Sequence, residues 1–166
     1  MALSRNDISF TKNAILISNS ISFQGNAAIL KPFPKTNAGF REIPMPTVLR
    51  EYLKVYLKQL DGLFLFEMNR KQGLMTKSSY NKFWKGIILK LNTALGGNDN
   101  IKPIQGLTAY TFRHNYATML YYAGIDIKEA QYLLGHENVE MTLDIYTHLE
   151  KSKSNAAKKL DDFIAM

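Results

Sequence analysis

Three side chains between Leu107 and Leu149 are of types that handle phosphate esters: Arg113, His136 and Tyr146. The planar guanidinium of an arginine binds two phosphate oxygens at once, which suits it to hold a phosphodiester. A free tyrosine has a pKa of about 10, so forming its phenolate near pH 7 costs about 4 kcal/mol unless cations or hydrogen-bond donors lie close by. Together these residue types predict a site in which a tyrosine attacks a phosphate that an arginine holds.

The spacing around Tyr146 by itself favours a different interpretation. Tyr146 follows Val139 by seven positions and Leu143 by three, which places all of them on one face of a helix. A tyrosine on such a face is typical of a hydrophobic core, and a lone histidine is more often packed or solvent-facing than catalytic. At this point two interpretations remain open, a nucleophile and a core tyrosine.

Capping signals divide this stretch into three short helices. Thr108 can cap the first helix, and Gly124 ends it. The predicted apolar face of that helix comprises Phe112, Tyr116, Met119, Leu120 and Ala123.

The next two helices follow directly. Asp126 begins a capping box for a helix from Ile127 to Leu134, which Gly135 closes. Asn138 can cap a third helix, from Val139 to about Thr147. Arg113 and Tyr146 are therefore predicted to lie on these helices, and His136 at the junction between two of them.

Upstream of this stretch the pattern changes to short runs rich in β-branched residues. Residues 9–19, 27–30 and 40–44 are predicted as the strands of a small three-stranded antiparallel sheet. Two longer helices are predicted at 47–60 and 78–95, where apolar residues recur at helical spacing. The predicted fold class is therefore α+β and mostly α-helical, with the small sheet near the N-terminus.

Composition limits the class of protein. A length of 166 residues fits one domain, and a formal net charge of +7 favours a polyanionic partner such as nucleic acid, or else a solvated basic surface. Without cysteine the chain can form neither a disulfide framework nor a Cys-based zinc site. No apolar run is long enough to span a membrane and no signal peptide is recognisable, so a cytoplasmic protein without a membrane partner is expected.

Four blocks of the sequence closely resemble the tyrosine recombinases, the phage-integrase family. In chain order they are TFRHNYAT (111–118), AGID (123–126), LLGH (133–136) and IYTHL (145–149). One block alone would be weak, whereas four blocks in this order with compatible gaps are highly specific. The resemblance implies the catalytic-domain type of the DNA breaking-rejoining enzymes and a function in site-specific DNA recombination or integration.

The resemblance also implies a role for individual residues. Arg113 matches the second catalytic arginine, which clamps the scissile phosphate, and His136 matches the histidine-or-tryptophan position, which donates to that phosphate and buttresses the nucleophile. Tyr146 matches the nucleophile, which forms a 3′-phosphotyrosine bond and releases a 5′-hydroxyl. His148, just past it, is expected to be structural. No metal or organic cofactor is implied, because the phosphotyrosine link conserves the bond energy.

The implied partners are double-stranded DNA and further copies of the chain. In the family the active assembly is a homotetramer on two duplexes, with C-terminal segments exchanged between neighbours. Residues 151–166 are predicted as an amphipathic helical tail, with apolar side chains on one side and lysines opposite. Such a tail suits that exchange.

One further catalytic residue is implied upstream. Residues 34–36 (PKT) together with 41–44 (REIP) resemble the family's β-hairpin, whose lysine enters the minor groove and protonates the leaving 5′-oxygen. This assigns the general-acid role to Lys35, with Lys31 as its main competitor. The alternative is a solvated hairpin lysine without a catalytic role.

The sequence departs from the family pattern at two places. The family commonly has a histidine three residues before the second arginine, where this chain has Tyr110. A tyrosine can still donate to a phosphate oxygen, but it is a poor general base near neutral pH.

The second departure concerns the family's first catalytic arginine. Residues 1–8 resemble the segment that follows that arginine, so its motif is expected before residue 1, and Arg5 is not assigned the role. Residues 1–166 are therefore interpreted as a single, partial catalytic domain. We expect this chain alone to bind DNA weakly and to recombine it poorly or not at all, since loss of one transition-state donor costs about 10²–10³ in rate.

A non-enzymatic helix-turn-helix DNA-binding regulator is the main alternative, since the helices on both sides of Gly124 and the basic charge also fit that class. The lysine at position 35 distinguishes the two, because a regulator has no use for it. A metal hydrolase fits poorly, because the three histidines are not accompanied by an organised pair of carboxylates.

Overall fold

A computed structural model of the chain describes residues 2–68, 71–98 and 100–152. The strands are β1 (Ile8–Ser9), β2 (Ala14–Ile17), β3 (Ser20–Gln24), β4 (Ala27–Lys31), β5 (Arg41–Pro44), β6 (Glu67–Met68) and β7 (Lys71–Leu74). The helices are α1 (Thr47–Gln59), α2 (Lys77–Ala94), α3 (Ala109–Tyr122), α4 (Ile127–Leu134) and α5 (Glu140–Ser152). The chain divides into two compact units, Met1–Thr108 and Ala109–Met166. None of the helices described is both long and apolar enough to cross a membrane.

The first unit contains the predicted three-stranded antiparallel sheet, in the order β1-β2-β5. β2 pairs with β5 from Ala14 opposite Pro44 to Ile17 opposite Arg41. The hydrophobic core of the unit comprises Ile8, Met45, Leu53, Leu57 and Leu65. The predicted fold class, α+β with a small antiparallel sheet near the N-terminus, is confirmed.

The predicted membership of that sheet is wrong for one strand. β4 pairs with β3 in a separate two-stranded hairpin and takes no part in the three-stranded sheet. The polar residues 18–20 suggested a turn, yet the chain turns at Gly25, whose φ of +58° suits a glycine. The side chain of Asn26 then anchors the hairpin tip, since its Oδ1 accepts hydrogen bonds from the backbone N–H and the hydroxyl of Ser78.

The two long helices of the first unit confirm their predictions to within one residue at each end. At the start of α2, the Oγ1 of Thr76 accepts a hydrogen bond from the backbone N–H of Ser79, which satisfies one otherwise unpaired donor of the first turn.

In the second unit α4 has the predicted limits. The Oδ1 of Asp126 accepts hydrogen bonds from the backbone N–H groups of Lys128 and Glu129, and Gly135 closes the helix with a left-handed φ of +63°. α5 is longer than predicted, because no helix-breaking residue follows Thr147 before Ser152. Most of the predicted tail at 151–166 lies outside the described residues.

The predicted apolar face of α3 is partly wrong. Ala117 and Leu120 are buried, whereas Phe112 and Met119 are 47% and 66% exposed. The buried cluster of this unit comprises Ala117, Leu120, Ala130, Leu133, Leu134 and Tyr146. The face of α3 that packs in the core is therefore centred on Ala117 and Leu120, and Phe112 and Met119 lie outside it.

Candidate active site

A cleft of about 280 Å³ opens in the second unit, beside the junction of α4 and α5. α3 contributes four residues at i, i+3, i+4 and i+7, so one face of the helix borders the cleft. The residues that line it are Tyr110, Arg113, His114, Ala117, Leu134, His136, Met141, Asp144 and Ile145. Three of the five predicted site residues therefore meet in one place.

Arg113 is fixed at the wall of this cleft by the end of α4. Its Nη2 donates a hydrogen bond to the backbone carbonyl of Leu134, the last residue of that helix. Such a carbonyl has no partner within its own helix, and the C-terminal end of a helix favours a cation. Because an arginine carries five N–H donors, this anchor holds the side chain in place and leaves donors for an anion in the cleft.

His136 follows the left-handed turn at Gly135 and is only 7% exposed. Its backbone N–H donates to the carbonyl of Gln131, and the amide Nε2 of the same glutamine donates to the carbonyl of His136. The ring is held by a 2.9 Å hydrogen bond between its Nδ1 and the Oγ1 of Thr142, a fully buried residue. This bond fixes the orientation of the imidazole at the cleft, and its other ring nitrogen, Nε2, can act as a hydrogen-bond donor.

Thr142 was not among the predicted site residues. The only signal for it in the sequence is a hydroxyl residue six positions after His136, a spacing shared by many helical threonines. Its importance comes from the bend between α4 and α5, which turns its side chain back towards the imidazole.

Tyr146 is placed differently from the other predicted residues of this unit. It is 7% exposed and belongs to the hydrophobic core, with its ring edge-on to that of Tyr121 at 5.1 Å. Its hydroxyl donates a 3.1 Å hydrogen bond to the backbone carbonyl of Ile125. Tyr146 is absent from the described lining of the cleft, although its neighbours Asp144 and Ile145 are present. This is the core position that the helical spacing favoured.

The surroundings of Tyr146 also oppose ionisation of its phenol. Burial raises its pKa above the ordinary value of 10, and the carboxylates of Asp126 and Glu129 raise it further. A nucleophilic tyrosine requires the opposite shift. In this arrangement Tyr146 is therefore a packed, neutral side chain.

Lys35 belongs to the first unit, in the connection between β4 and β5. The strands on either side of Lys35 do not pair with each other, so the expected β-hairpin does not form around it. The hairpin tip is at Gly25 and Asn26, and β5 pairs with β2. Lys31, its competitor for the general-acid role, is the last residue of β4.

Two further basic residues can be placed. The guanidinium of Arg5 donates to the backbone carbonyls of Leu60 and Leu57, at the C-terminal end of α1, so it stabilises that helix end. His148 is exposed on α5 and does not appear in the described lining of the cleft. In the part of the chain that the structure describes, no three His, Asp or Glu side chains are grouped as metal ligands would be.

The sequence of the chain matches the model of the phage integrase family over residues 1–153. Among curated proteins it is 29% identical, over 163 residues, to the transposase from transposon Tn916 of Enterococcus faecalis, a match that covers 92% of this chain and 39% of the transposase. It is also 32% identical over 120 residues to the tyrosine recombinase XerC of Bacillus subtilis (strain 168), covering 67% of this chain and 36% of that protein. The chain thus spans about two fifths of the length of these relatives.

Solved structures show the same similarity. A variant of the Tn1549 transposon integrase in complex with transposon right-end DNA has a TM-score of 0.76 and 25% sequence identity, covering 99% of this chain and 53% of that one. The same integrase in complex with circular-intermediate DNA has a TM-score of 0.70 and 26% identity. These similarities extend through both units of the chain.

Proposed function

This chain belongs to the phage integrase family, and on that premise we propose that it forms part of the catalytic domain of a tyrosine recombinase, which breaks and rejoins double-stranded DNA. The observation that carries the proposal is the cleft in which Arg113 and His136 meet, each held by a hydrogen bond to its surroundings. Preorganised donors of this kind stabilise charge that develops on phosphate oxygens. In this proposal residues 1–166 act as one domain.

The proposed reaction has two displacement steps at one phosphorus atom. The Tyr146 oxygen attacks the scissile phosphate while Arg113 and His136 bind its non-bridging oxygens. The bond from phosphorus to the 5′-oxygen breaks, Lys35 gives that oxygen a proton, and a 3′-phosphotyrosyl link remains. A 5′-hydroxyl from another strand then reverses these steps. Since the link conserves the energy of the phosphodiester, the exchange requires no cofactor.

Tyr146 must leave its packed position for this chemistry. Its hydroxyl would exchange the carbonyl of Ile125 for the phosphate in the cleft, and a single neutral hydrogen bond contributes only about 1 kcal/mol to stability. Movement out of the buried core, away from Asp126 and Glu129 and towards Arg113, would also remove the causes of its raised pKa and favour the phenolate. We propose that DNA binding drives this movement.

The net charge of +7 supports DNA as the partner, and the two Tn1549 integrase structures contain DNA. A homotetramer on DNA is proposed on the family resemblance, with residues 151–166 as the exchanged segment. The guanidinium of Arg5 stabilises the end of α1, so we assign it no part in the reaction.

Covalent capture on DNA tests the proposed function. The chain is incubated with a library of nicked duplexes whose central bases are randomised, so that a cleaved strand diffuses away and traps the intermediate. We expect a denaturant-resistant protein–DNA adduct that accumulates slowly and enriches a defined sequence. Tyr146→Phe, which removes one oxygen atom from the same core position, should form none. Sequence-specific binding without any adduct would instead indicate a regulator.

A further inference from the structure

The cleft contains a histidine with no assigned role. Tyr110 occupies the position where the family commonly has a histidine. The chain therefore has no imidazole at that position to act as a general base. The structure places His114 one helical turn further along α3, on the same face, and in the lining of the same cleft. Neither the sequence pattern nor the family resemblance gave this residue a function.

The position of His114 suits contact with a bound phosphodiester. Its ring lies edge-on to that of Tyr110 with the centroids 4.9 Å apart, which defines its orientation along the cleft wall. Its side chain is exposed, and within the described residues neither ring nitrogen has a hydrogen-bond partner. The neighbouring residue on the same face is Arg113, the proposed phosphate clamp.

The chemistry of the two side chains differs at neutral pH. A free phenol loses its proton only near pH 10, so very little phenolate is present near pH 7. A tyrosine therefore has almost no basic form with which to accept a proton from another phenol. An imidazole changes its protonation state between pH 5 and 8 and can accept and return a proton within one reaction cycle. Of the two residues, His114 is the one equipped for proton transfer.

We propose that His114 is a catalytic residue that takes the proton from the Tyr146 hydroxyl as the phosphotyrosyl bond forms. This inference rests on the proposed function. During rejoining the phosphorus–tyrosine bond breaks, the imidazolium returns its proton to the departing phenolate, and Lys35 recovers its own proton from the attacking 5′-hydroxyl. Protons and charges therefore balance over the cycle, and Tyr110 keeps only a donor role.

The charged and titratable groups that line the cleft with His114 lie on three elements. Arg113 and Tyr110 are on the same helix, His136 lies beside the junction of α4 and α5, and Asp144 is on α5. A bound phosphate adds negative charge, which stabilises the imidazolium once the proton has moved.

The test uses the duplex enriched by covalent capture, in two forms. One form has the natural 5′-oxygen at the scissile phosphate, and the other has sulfur in its place. A thiolate leaves without receiving a proton, so the sulfur substrate isolates activation of the nucleophile from protonation of the leaving group. Rates of adduct formation are measured from pH 5.5 to 8.5 for the wild type, His114→Gln, Tyr110→Phe and the matched control His148→Gln.

With both substrates we expect His114→Gln to react about 100-fold more slowly than the wild type and to lose the rise in rate with pH that an imidazole base gives. Tyr110→Phe and His148→Gln should keep that rise. A His114→Gln rate within threefold of wild type, or a slower rate with an unchanged pH profile, would overturn the assignment. Wild type that forms adduct together with an unaffected His114→Gln would refute this inference alone, whereas wild type without adduct would refute the proposed function as well.

Discussion

The packed position of Tyr146 agrees with one of the two interpretations that its residue type and spacing allowed, and its role as the nucleophile stays a prediction. It packs in the core, although Val139 and Leu143 on the same predicted face are exposed, and by resemblance it matches the family's nucleophile. The two are compatible if the packed tyrosine is a resting position. There the hydroxyl donates to the carbonyl of Ile125, and burial together with the carboxylates of Asp126 and Glu129 raises the pKa of the phenol.

The raised pKa of Tyr146 predicts how stability depends on alkaline pH. In the unfolded chain its phenol ionises near pH 10, whereas the folded state holds the proton to higher pH. The resulting stabilisation is complete below pH 10 and is lost as the pH rises through the folded-state pKa. Urea unfolding at pH 8 to 11 should show a shallower alkaline decline for Tyr146→Phe than for wild type. Tyr52→Phe, which alters an exposed tyrosine, should decline as steeply as wild type.

Lys35 can be tested apart from the rest of the site. As the proposed general acid it is needed only while the leaving group is an oxygen. Lys35→Ala should therefore slow adduct formation about 100-fold with the natural substrate, and much less with sulfur at the 5′ position. Lys31→Ala is the matched control and should slow neither. An equal defect of Lys35→Ala on both substrates would show that the lysine binds DNA without transferring a proton.

At the scale of elements, the junction between α4 and α5 determines the position of His136. Gly135 ends α4, and Gln131 makes hydrogen bonds to the backbone N–H and carbonyl of His136. The Oγ1 of Thr142, in the first turn of α5, makes a hydrogen bond to the imidazole of His136. Thr142→Val removes the hydroxyl but keeps the shape. It should lower the free energy of unfolding by about 1–3 kcal/mol and slow adduct formation about tenfold or more. Thr142→Ser keeps the hydrogen bond and should restore the rate.

Local signals predicted those elements whose ends are encoded by single residues. Asp126 and Gly135 determine α4, and both limits could be read from the sequence. The strand β3 could not, because its serines resemble a turn until the partner strand β4 is known. The roles of Thr142 and His114 depend on helices meeting across the cleft, and that information is tertiary.

At the scale of the whole molecule, the positive charge should dominate DNA affinity. Each phosphate contacted by a lysine or arginine contributes about −0.9 to the slope of log binding constant against log salt concentration. With four or more contacts we expect a slope of about −4 or steeper for any duplex, measured by fluorescence anisotropy between 50 and 200 mM salt. A slope shallower than about −1 would show that the basic surface does not bind the DNA backbone.

The central claim is tested most directly by identifying the tyrosine that carries the DNA after covalent capture. The chain has nine tyrosines, and Tyr110 lies in the described cleft while Tyr146 does not. After nuclease and protease digestion, mass spectrometry identifies the peptide that bears the 3′-phosphonucleotide. We expect that modification on Tyr146, with the yield reduced at least about 100-fold by Arg113→Lys, which loses the two-oxygen fork. Modification of Tyr110, or no modification of a chain that binds the duplex, would contradict the proposal.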